Sequence, residues 1–450
     1  MNILLLGNGF DINCGLPTKY INYIQIVDFL NRHRHKKYDT IGELFEDMLN
    51  NDNNSSVRKL YCDDVDLANI YNKIKINQDD IKNILEINSN NSSKDIKDNM
   101  WFCFFSKNHI TDLSWVGFER EMENVLIDLD KYKAATSSTD TEFINVCDPD
   151  FKKYDLIQSP ECERIANKLK QFDIPILRYR PYDDLRSIKS ARYESKKEAI
   201  YFDSASNNIR WNNIYKELEQ ERVELVGFFK NYLINFVEKI SENEKFLQYA
   251  NKQSEFLMEF NPEDVVINFN YTKTFEKLRL RLLNYNFNNK NSYSAKGPIP
   301  CFHIHGCVDD ENIVMGIRPN DKGTEPLHFQ KDIQRLRYNT NSEYNEWLRS
   351  NKEKNVECLT IMGSSLDVTD GDVIKKLFYR SKKIKVVYHD DDAHGHYCKN
   401  IKSILGTDGL EQLQDRFSFQ ELKGCQEKYN SVKNKRSKTC VIFTPCTKKS

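Results

Sequence analysis

The chain reads as an α/β protein: a mostly parallel, helix-covered sheet interrupted by a large, mainly helical insertion. Three observations predict this. Ile3 to Leu6 is a continuous apolar run that breaks into Gly7-Asn8-Gly9, with a polar-apolar helical pattern resuming after Pro17; such a run suits a strand buried on both faces. From residue 265 onward, short apolar runs alternate with helical stretches, the signature of parallel strands joined by helices. Between them, residues 35–254 are rich in Asn, Lys, Asp and Glu and hold no second glycine turn.

Taken in order, the first strand and turn outline a phosphate site, because a helix N-terminus offers unpaired N–H groups and a positive dipole end. The spacing is not G-x-G-x-x-G, since Ile12 stands where the third glycine would fall and the next glycine is Gly15. The cluster His33 to Lys37 closes the first helix as dipole-complementing surface. Within the insertion, Asn88 to Asn99 and Ala134 to Thr141 read as loops. Trp115 to Glu119 precedes a helical run as a core Trp and a solvated Glu. Lys216 to Ile240 is an amphipathic helix carrying Leu218, Leu225, Phe229, Leu233, Phe236 and Ile240 on one face. Strands follow at 265–270, 301–305, 312–316, 357–363 and 384–389, with helices such as Thr272 to Leu283 and Asp370 to Ser381 between them. The organisation is therefore a Rossmann-like core of residues 1–34 and 255–430, an insertion or cap of 35–254, and a basic tail of 431–450.

Composition narrows the classes. At 450 residues the chain can bury a sizeable core. A net charge of −1 with interspersed signs gives no electrostatic case for nucleic acid. The apolar runs fall short of the roughly 18 residues of a membrane span. The N-terminal run lacks a basic leader, and the 12 cysteines show no pairing spacings. Reduced thiols and a cytoplasmic location are expected.

Four strand ends then offer residues suited to a sugar and its phosphates: Gly7, Asn8, Gly9, Phe10, Asp11 and Gly15; Asn270; His305; and Gly363, Ser364 and Ser365. In an open α/β sheet, ligands bind outside the carboxyl ends of the strands. Asp11 either pairs with ribose hydroxyls, stabilises positive charge, or caps the helix. Asn270 competes with Thr272 for the cap of the next helix. His303 alternates with His305 and is expected to point into the core. Asp367 and Asp370 read as turn and cap residues. His389 to His396 reads as a charged, solvated loop rather than a metal site, so no metal site is expected.

The motifs Gly-x-Gly-Phe-Asp-x-x-x-Gly-Leu-Pro, Phe-Asn-Tyr-Thr-x-x-x-Glu, His-Ile-His-Gly and Gly-Ser-Ser-Leu-Asp-x-x-Asp, in this order, resemble the AbiH family of bacteriophage abortive-infection proteins. The resemblance spans roughly residues 1–30 and 255–405, with Trp115 to Glu119 as a weaker match. The same blocks are similar to sirtuin-like NAD-consuming domains, and Gly7, Gly9, Gly15 and Pro17 keep that spacing without a gap. Sirtuin deacylases carry two Cys-x-x-Cys pairs, whereas only Cys307 and Cys358 lie between the last two blocks here. No zinc and no protein deacylation are therefore expected. The resemblance implies a Rossmann-like, sirtuin-like core and an antiphage role. It implies hydrolysis of the nicotinamide–ribose bond of NAD, with His305 as general base and Asn270 holding the ribose or the water. The glycine turn and Ser364 and Ser365 would hold the dinucleotide. NAD is then a substrate, a phage-derived component the trigger, and a second copy of the chain a candidate partner. The rival expectations are a nucleotide sensor that turns nothing over, and a nuclease.

Overall fold

A computed structural model describes residues 1–52, 55–89, 92–107, 115–136, 143–145, 164–165, 168–169, 171–172, 177–179, 202–203, 208–254, 261, 263–288, 299–310, 312–318, 326–340, 342–351 and 356–422. Most of 137–207 and the tail expected at 431–450 lie outside them.

Six parallel strands form the central sheet: β1 (Asn2–Leu6), β2 (Val265–Asn268), β3 (Cys301–His303), β4 (Val356–Met362), β5 (Ser381–Tyr388) and β6 (Phe417–Glu421), in the order β6-β5-β4-β1-β2-β3. Read from the other edge this is 3-2-1-4-5-6, the Rossmann dinucleotide-binding order. Its topological switch point lies between β1 and β4, which pair from Asn2↔Cys358 to Leu6↔Met362. Ile3, Leu4, Leu5 and Leu6 are fully buried in the middle of the sheet, each contributing about 1.5–3 kcal/mol. Alternate residues serve the two faces: Leu4 and Leu6 join one apolar cluster, Ile3 and Leu5 the other.

Helix α1 (Asn8–Asn13) begins directly after Gly7, so the helix expected after Pro17 is the second one, α2 (Tyr20–Arg32). The first apolar cluster continues from this sheet face into the helices of the long intervening stretch. Those that bear on the site are α3 (Met100–Lys107), α4 (Trp115–Thr136) and α5 (Trp211–Tyr232). The last runs through a π turn, Leu233–Val237, into Glu238–Ser241. Tyr20, Phe105, Trp115 and Phe118 meet there as neighbouring rings. The opposite face is covered by α8 (Gly371–Arg380) and α9 (Asp391–Leu413). Between β2 and β3 lies α6 (Thr274–Asn288), and before β4 lies α7 (Lys331–Tyr338).

Several expectations change. Asn88 to Asn99 is not a loop: Glu86–Ser89 pairs antiparallel with Ser92–Asp95, and a 3-10 turn follows. Residues 312–316 are not a strand. Their backbone is satisfied otherwise, Val314 N–H by His305 O at 2.8 Å and Met315 N–H by the Gln334 side chain at 3.0 Å. The block His389 to His396 leads into α9 rather than a loop, with the Asp390 carboxylate accepting from Ala393 N–H at 2.8 Å as its cap. Strand β6 is an addition; its half-exposed FSFQE pattern marks a sheet edge.

Candidate functional site

Because all six strands are parallel, the loops after β4, β1, β2 and β3 emerge along one edge. Gly7 and Gly9 lie at the switch point against the β4 loop: Gly7 N–H donates to Met362 O at 3.0 Å and Gly9 N–H to Gly363 O at 2.8 Å. A Cβ on Gly9 would stand 2.6 Å from Gly363 Cα, and one on Gly363, whose φ is +69°, would stand 2.3 Å from Phe10 N. Backbone meets backbone here, and only glycine permits it. Those two N–H groups serve the loop contact and leave none for a ligand. Phe10 is a core ring against Phe275, and the Asn8 amide donates to Thr18 O at 2.9 Å. Gly15 lies apart, in a cleft of about 400 Å³ that Lys19, Ser56 and Lys59 also line. Ser364 is buried and its Oγ accepts from Leu366 N–H at 3.3 Å, while Ser365 is exposed and its carbonyl accepts from Asn400 at 2.8 Å.

Asp11 and Asn270 are brought to adjacent strand ends. Asp11 is buried, and Thr272 Oγ1 donates to its Oδ2 at 2.5 Å. Burial pushes its carboxyl up to about 7, a rise the Thr272 and Thr274 hydroxyls oppose and Glu238 and Glu276 reinforce. Asp11 Oδ1 and Asn270 Oδ1 are both buried and accept no hydrogen bond from the described residues. Two acceptor oxygens without a donor suit a cationic or hydroxyl-bearing group.

His305 lies in a buried charged network that the sequence reading did not anticipate. Its Nε2 is 2.8 Å from Asp370 Oδ1, and its ring stacks on Phe269 at 5.1 Å. Asp370 also accepts from Arg335 at 3.1 Å and Lys331 at 3.3 Å. Lys331 donates further to Thr369 at 3.2 Å and pairs with Glu119 at 2.8 Å. Arg335 reaches Asp372 at 2.7 Å. Lys331 and Arg335 are four residues apart on α7, hence on one helix face. Asp370, which follows β4, thus meets the second residue beyond β3, although β1 and β2 lie between those strands in the sheet.

Two expectations are corrected here. Asp370 makes no side-chain cap bond to its helix; its carboxylate is taken by His305, Arg335 and Lys331. Glu119 is not solvated but 4 % exposed, on α4. Its helix faces Lys331, and a buried charge persists only when paired. Burial pushes Glu119 up to about 7, against the pull of Lys331. Burial alone would raise Asp370 too, yet His305, Lys331 and Arg335 hold it well below the carboxylate range. His305 itself is lowered, by burial first and by Lys331 and Arg335 as well. With Asp370 accepting, the neutral ring carries its proton on Nε2 and its lone pair on Nδ1.

His303 is half-buried in a polar pocket rather than in the apolar core. Its Nδ1 lies 2.9 Å from Asn270 O and its Nε2 2.6 Å from Glu276 Oε1. The legible signal for the missed residues was weak: the i,i+4 spacing of Lys331 and Arg335, and Glu276 within the Phe-Asn-Tyr-Thr-x-x-x-Glu block.

No helix of the described residues is long and apolar enough to cross a membrane. No curated protein and no solved structure gives a significant match to the chain. The family model described as Bacteriophage abortive infection AbiH matches residues 3–390. A match over that much of the sequence, joined to the four motif blocks at one sheet edge, is decisive: the chain belongs to the AbiH family of bacteriophage abortive-infection proteins.

Proposed function

We propose that this antiphage abortive-infection protein hydrolyses the nicotinamide–ribose bond of NAD and so depletes the cofactor of an infected cell. The observation that carries the reading is the pair of buried oxygens without a donor among the described residues, Asp11 Oδ1 and Asn270 Oδ1, at the ends of the adjacent strands β1 and β2, beside the Rossmann switch point. When the C1′–N bond breaks, its electron pair leaves with nicotinamide, which departs neutral, and positive charge develops on the ribose. Acceptor oxygens fixed beforehand stabilise that charge without reorganising. Water adds at C1′, and His305 Nδ1 takes the proton the water loses, with Asp370 holding the ring from the other side. Products are nicotinamide, ADP-ribose and one proton. NAD is chosen over other nucleotides on the likeness of the four blocks to sirtuin-like NAD-consuming domains. The described helices of the insertion act as a cap over this edge, with Glu119 on α4 reaching Lys331 as one point of closure.

The rival is a nucleotide sensor without turnover. It is favoured by two departures from the sirtuin-like pattern, Asn8 in the first block and Thr272 in the second. Mass spectrometry of bacteria expressing wild type or an N270A/H305A double variant separates the two. A fall in NAD with a rise in nicotinamide and ADP-ribose, in wild type only, supports the hydrolase. Unchanged pools during wild-type protection against phage would sink it in favour of the sensor. Chelator-sensitive loss of RNA or DNA would instead point to a nuclease.

A further inference from the structure

We infer that Glu276, Cys301 and His303 form a binding site for a divalent transition metal of the zinc class, with three protein ligands and a fourth position open to solvent. Nothing in the expected chemistry of the strand ends requires such a site. The inference is independent of NAD as substrate.

The geometry comes from β3 and α6. Cys301 and His303 are two residues apart on one strand and so share a face. Glu276 stands in the first turn of α6. One carboxylate oxygen, the thiol sulfur and one imidazole nitrogen all lie within 4.8 Å of one another. Tetrahedral zinc, with bonds of about 2.0–2.3 Å, wants edges of about 3.3–3.6 Å between such atoms. Cys301 Sγ and His303 Nε2 are 4.0 Å apart, and Nε2 and Glu276 Oε1 are 2.6 Å apart. Side-chain adjustments below about 1 Å bring both to that edge.

Hydrogen-bond accounting points the same way. His303 Nδ1 faces the carbonyl of Asn270 and can only donate to it. The lone pair of the neutral ring is then on Nε2, facing a carboxylate oxygen that is also an acceptor. Only a proton or a cation can stand between them. The other oxygen, Glu276 Oε2, is buried and has no nitrogen or oxygen donor among the described residues, the Cys301 thiol being the further group beside the carboxylate. A ligating histidine whose second nitrogen donates to a backbone carbonyl is the usual outer arrangement of a zinc site, since it fixes the tautomer and aims the ring. Cys301 is a free thiol.

The donor set selects the ion. One thiolate, one imidazole and one carboxylate suit zinc and its neighbours rather than magnesium or calcium, which take oxygen alone. A thiolate and a carboxylate balance the charge of a dication. The Glu276 side chain keeps 32 % of its surface in solvent, and that is the side from which an ion would enter. The expectation of no zinc rested on the missing Cys-x-x-Cys pairs; this set needs only one cysteine, and its ligands come from two segments. The site also touches the candidate active edge, since the Nδ1–H bond ties the ligating ring to Asn270.

The test uses the full chain, stripped with a chelator and titrated with zinc or cobalt(II). Wild type is expected to bind one zinc per chain. Its cobalt form is expected to show the intense visible bands of a four-coordinate ion and a near-ultraviolet thiolate-to-cobalt band. C301S should lose that thiolate band while circular dichroism confirms its fold, and H303Q and E276Q should weaken zinc at least about 100-fold. If H303Q does not fold, the nearly isosteric C301S carries the test alone. Failure of wild type to bind one ion per chain, or a C301S variant with unchanged zinc affinity and an unchanged cobalt spectrum, would overturn the inference.

Discussion

His303 and His305 leave the same strand two residues apart and meet opposite surroundings. Each faces a carboxylate, Glu276 at 2.6 Å and Asp370 at 2.8 Å. Yet His303 is raised above the ordinary imidazole range and His305 lowered below it. Burial opposes the charged form in both, so burial does not separate them. The difference is what else the carboxylate holds. Asp370 already serves Lys331 and Arg335, whose charges also repel an imidazolium on His305. Among the described residues no lysine or arginine hydrogen-bonds Glu276; Lys273 acts on His303 only through space, its ammonium being held by Asp309. A histidine beside a carboxylate is thus kept neutral or made cationic by its neighbour's other partners. A neutral ring fits proton transfer on the His305 side, whereas on the His303 side Nε2 and the Glu276 carboxylate stand 2.6 Å apart.

The sharpest way to break this comparison is to exchange each ring for glutamine. H305Q is expected to lower NAD turnover about 10²–10⁴-fold, the usual worth of a general base, while keeping zinc bound. H303Q is expected to lose zinc. Rapid-quench turnover and metal analysis on the same preparations check both. If either variant lost both properties, the two histidines would belong to one site and the contrast would fail.

The network on the His305 side predicts the next largest effect. Lys331 and Glu119 are 3 % and 5 % exposed at their side chains and 2.8 Å apart. K331M leaves Glu119 without its cation and Asp370 with one fewer partner, so it should destabilise the fold by about 3–5 kcal/mol. Adding E119M should recover much of that, because a buried pair replaced whole by apolar groups is often neutral. Urea unfolding of the single and double variants gives the coupling. Equal losses in single and double variants would show that Glu119 is not what Lys331 holds.

Why the sequence disclosed one histidine's setting less well than the strands around it is a matter of distance along the chain. Ile3 to Leu6 and Val265 to Ile267 are apolar on both faces and Leu359 to Met362 nearly so, with Thr360 the exception, a local property that marks a central parallel strand. Their polar termini named the edge where a ligand would bind. The partners of His305 are not local: Glu119, Lys331 and Asp370 come from three segments, and only folding sets them against one another. An acidic residue beside a tryptophan at a helix start looks solvated until its cation is known. The paired strands Glu86–Ser89 and Ser92–Asp95 were hidden for a related reason, since Ile87 is the one apolar residue in their two segments. The edge strand β6 alternates weakly and follows Gly406, whose φ of +70° breaks the preceding helix. The close approach of Gly9 and Gly363 was visible only as two glycines; that they face each other across the switch point is a property of strand order.

Asp11 extends the comparison to a carboxylate with no cation at all among the described residues. Its folded value of about 7 stands above the ordinary 3.8, chiefly through burial. A raised carboxyl favours the protonated fold, so its contribution is complete below the unfolded value and is lost as pH rises through 7. From pH 5 to pH 8, wild type should lose about 2–3 kcal/mol through this group, at about 1.4 kcal/mol per unit. D11N, which cannot ionise, should lack that slope. Urea midpoints of both proteins at pH 5, 6, 7 and 8 measure the difference. Parallel curves would mean that Asp11 ionises in the fold as easily as in the unfolded chain, and that its unpartnered oxygen is not truly cut off from water.

The smallest effect belongs to the exposed pair beside His303, where Lys273 meets Asp309 with 36 % and 60 % of their side chains in solvent. This pair has the same chemistry as Lys331 and Glu119 but keeps its water, so little desolvation is recovered when it forms and little is left stranded when it breaks. K273M is therefore expected to shift stability by less than about 1 kcal/mol, and 0.5 M salt should shrink even that, because screening acts within a few ångströms of open solvent. The same salt should leave the K331M loss nearly intact. Measuring both variants at low and high salt isolates burial as the variable, with residue type held constant. A K273M loss as large and as salt-resistant as that of K331M would show that the His303 side is as closed as the His305 side, and an enclosed pocket there would no longer give a metal its open coordination position.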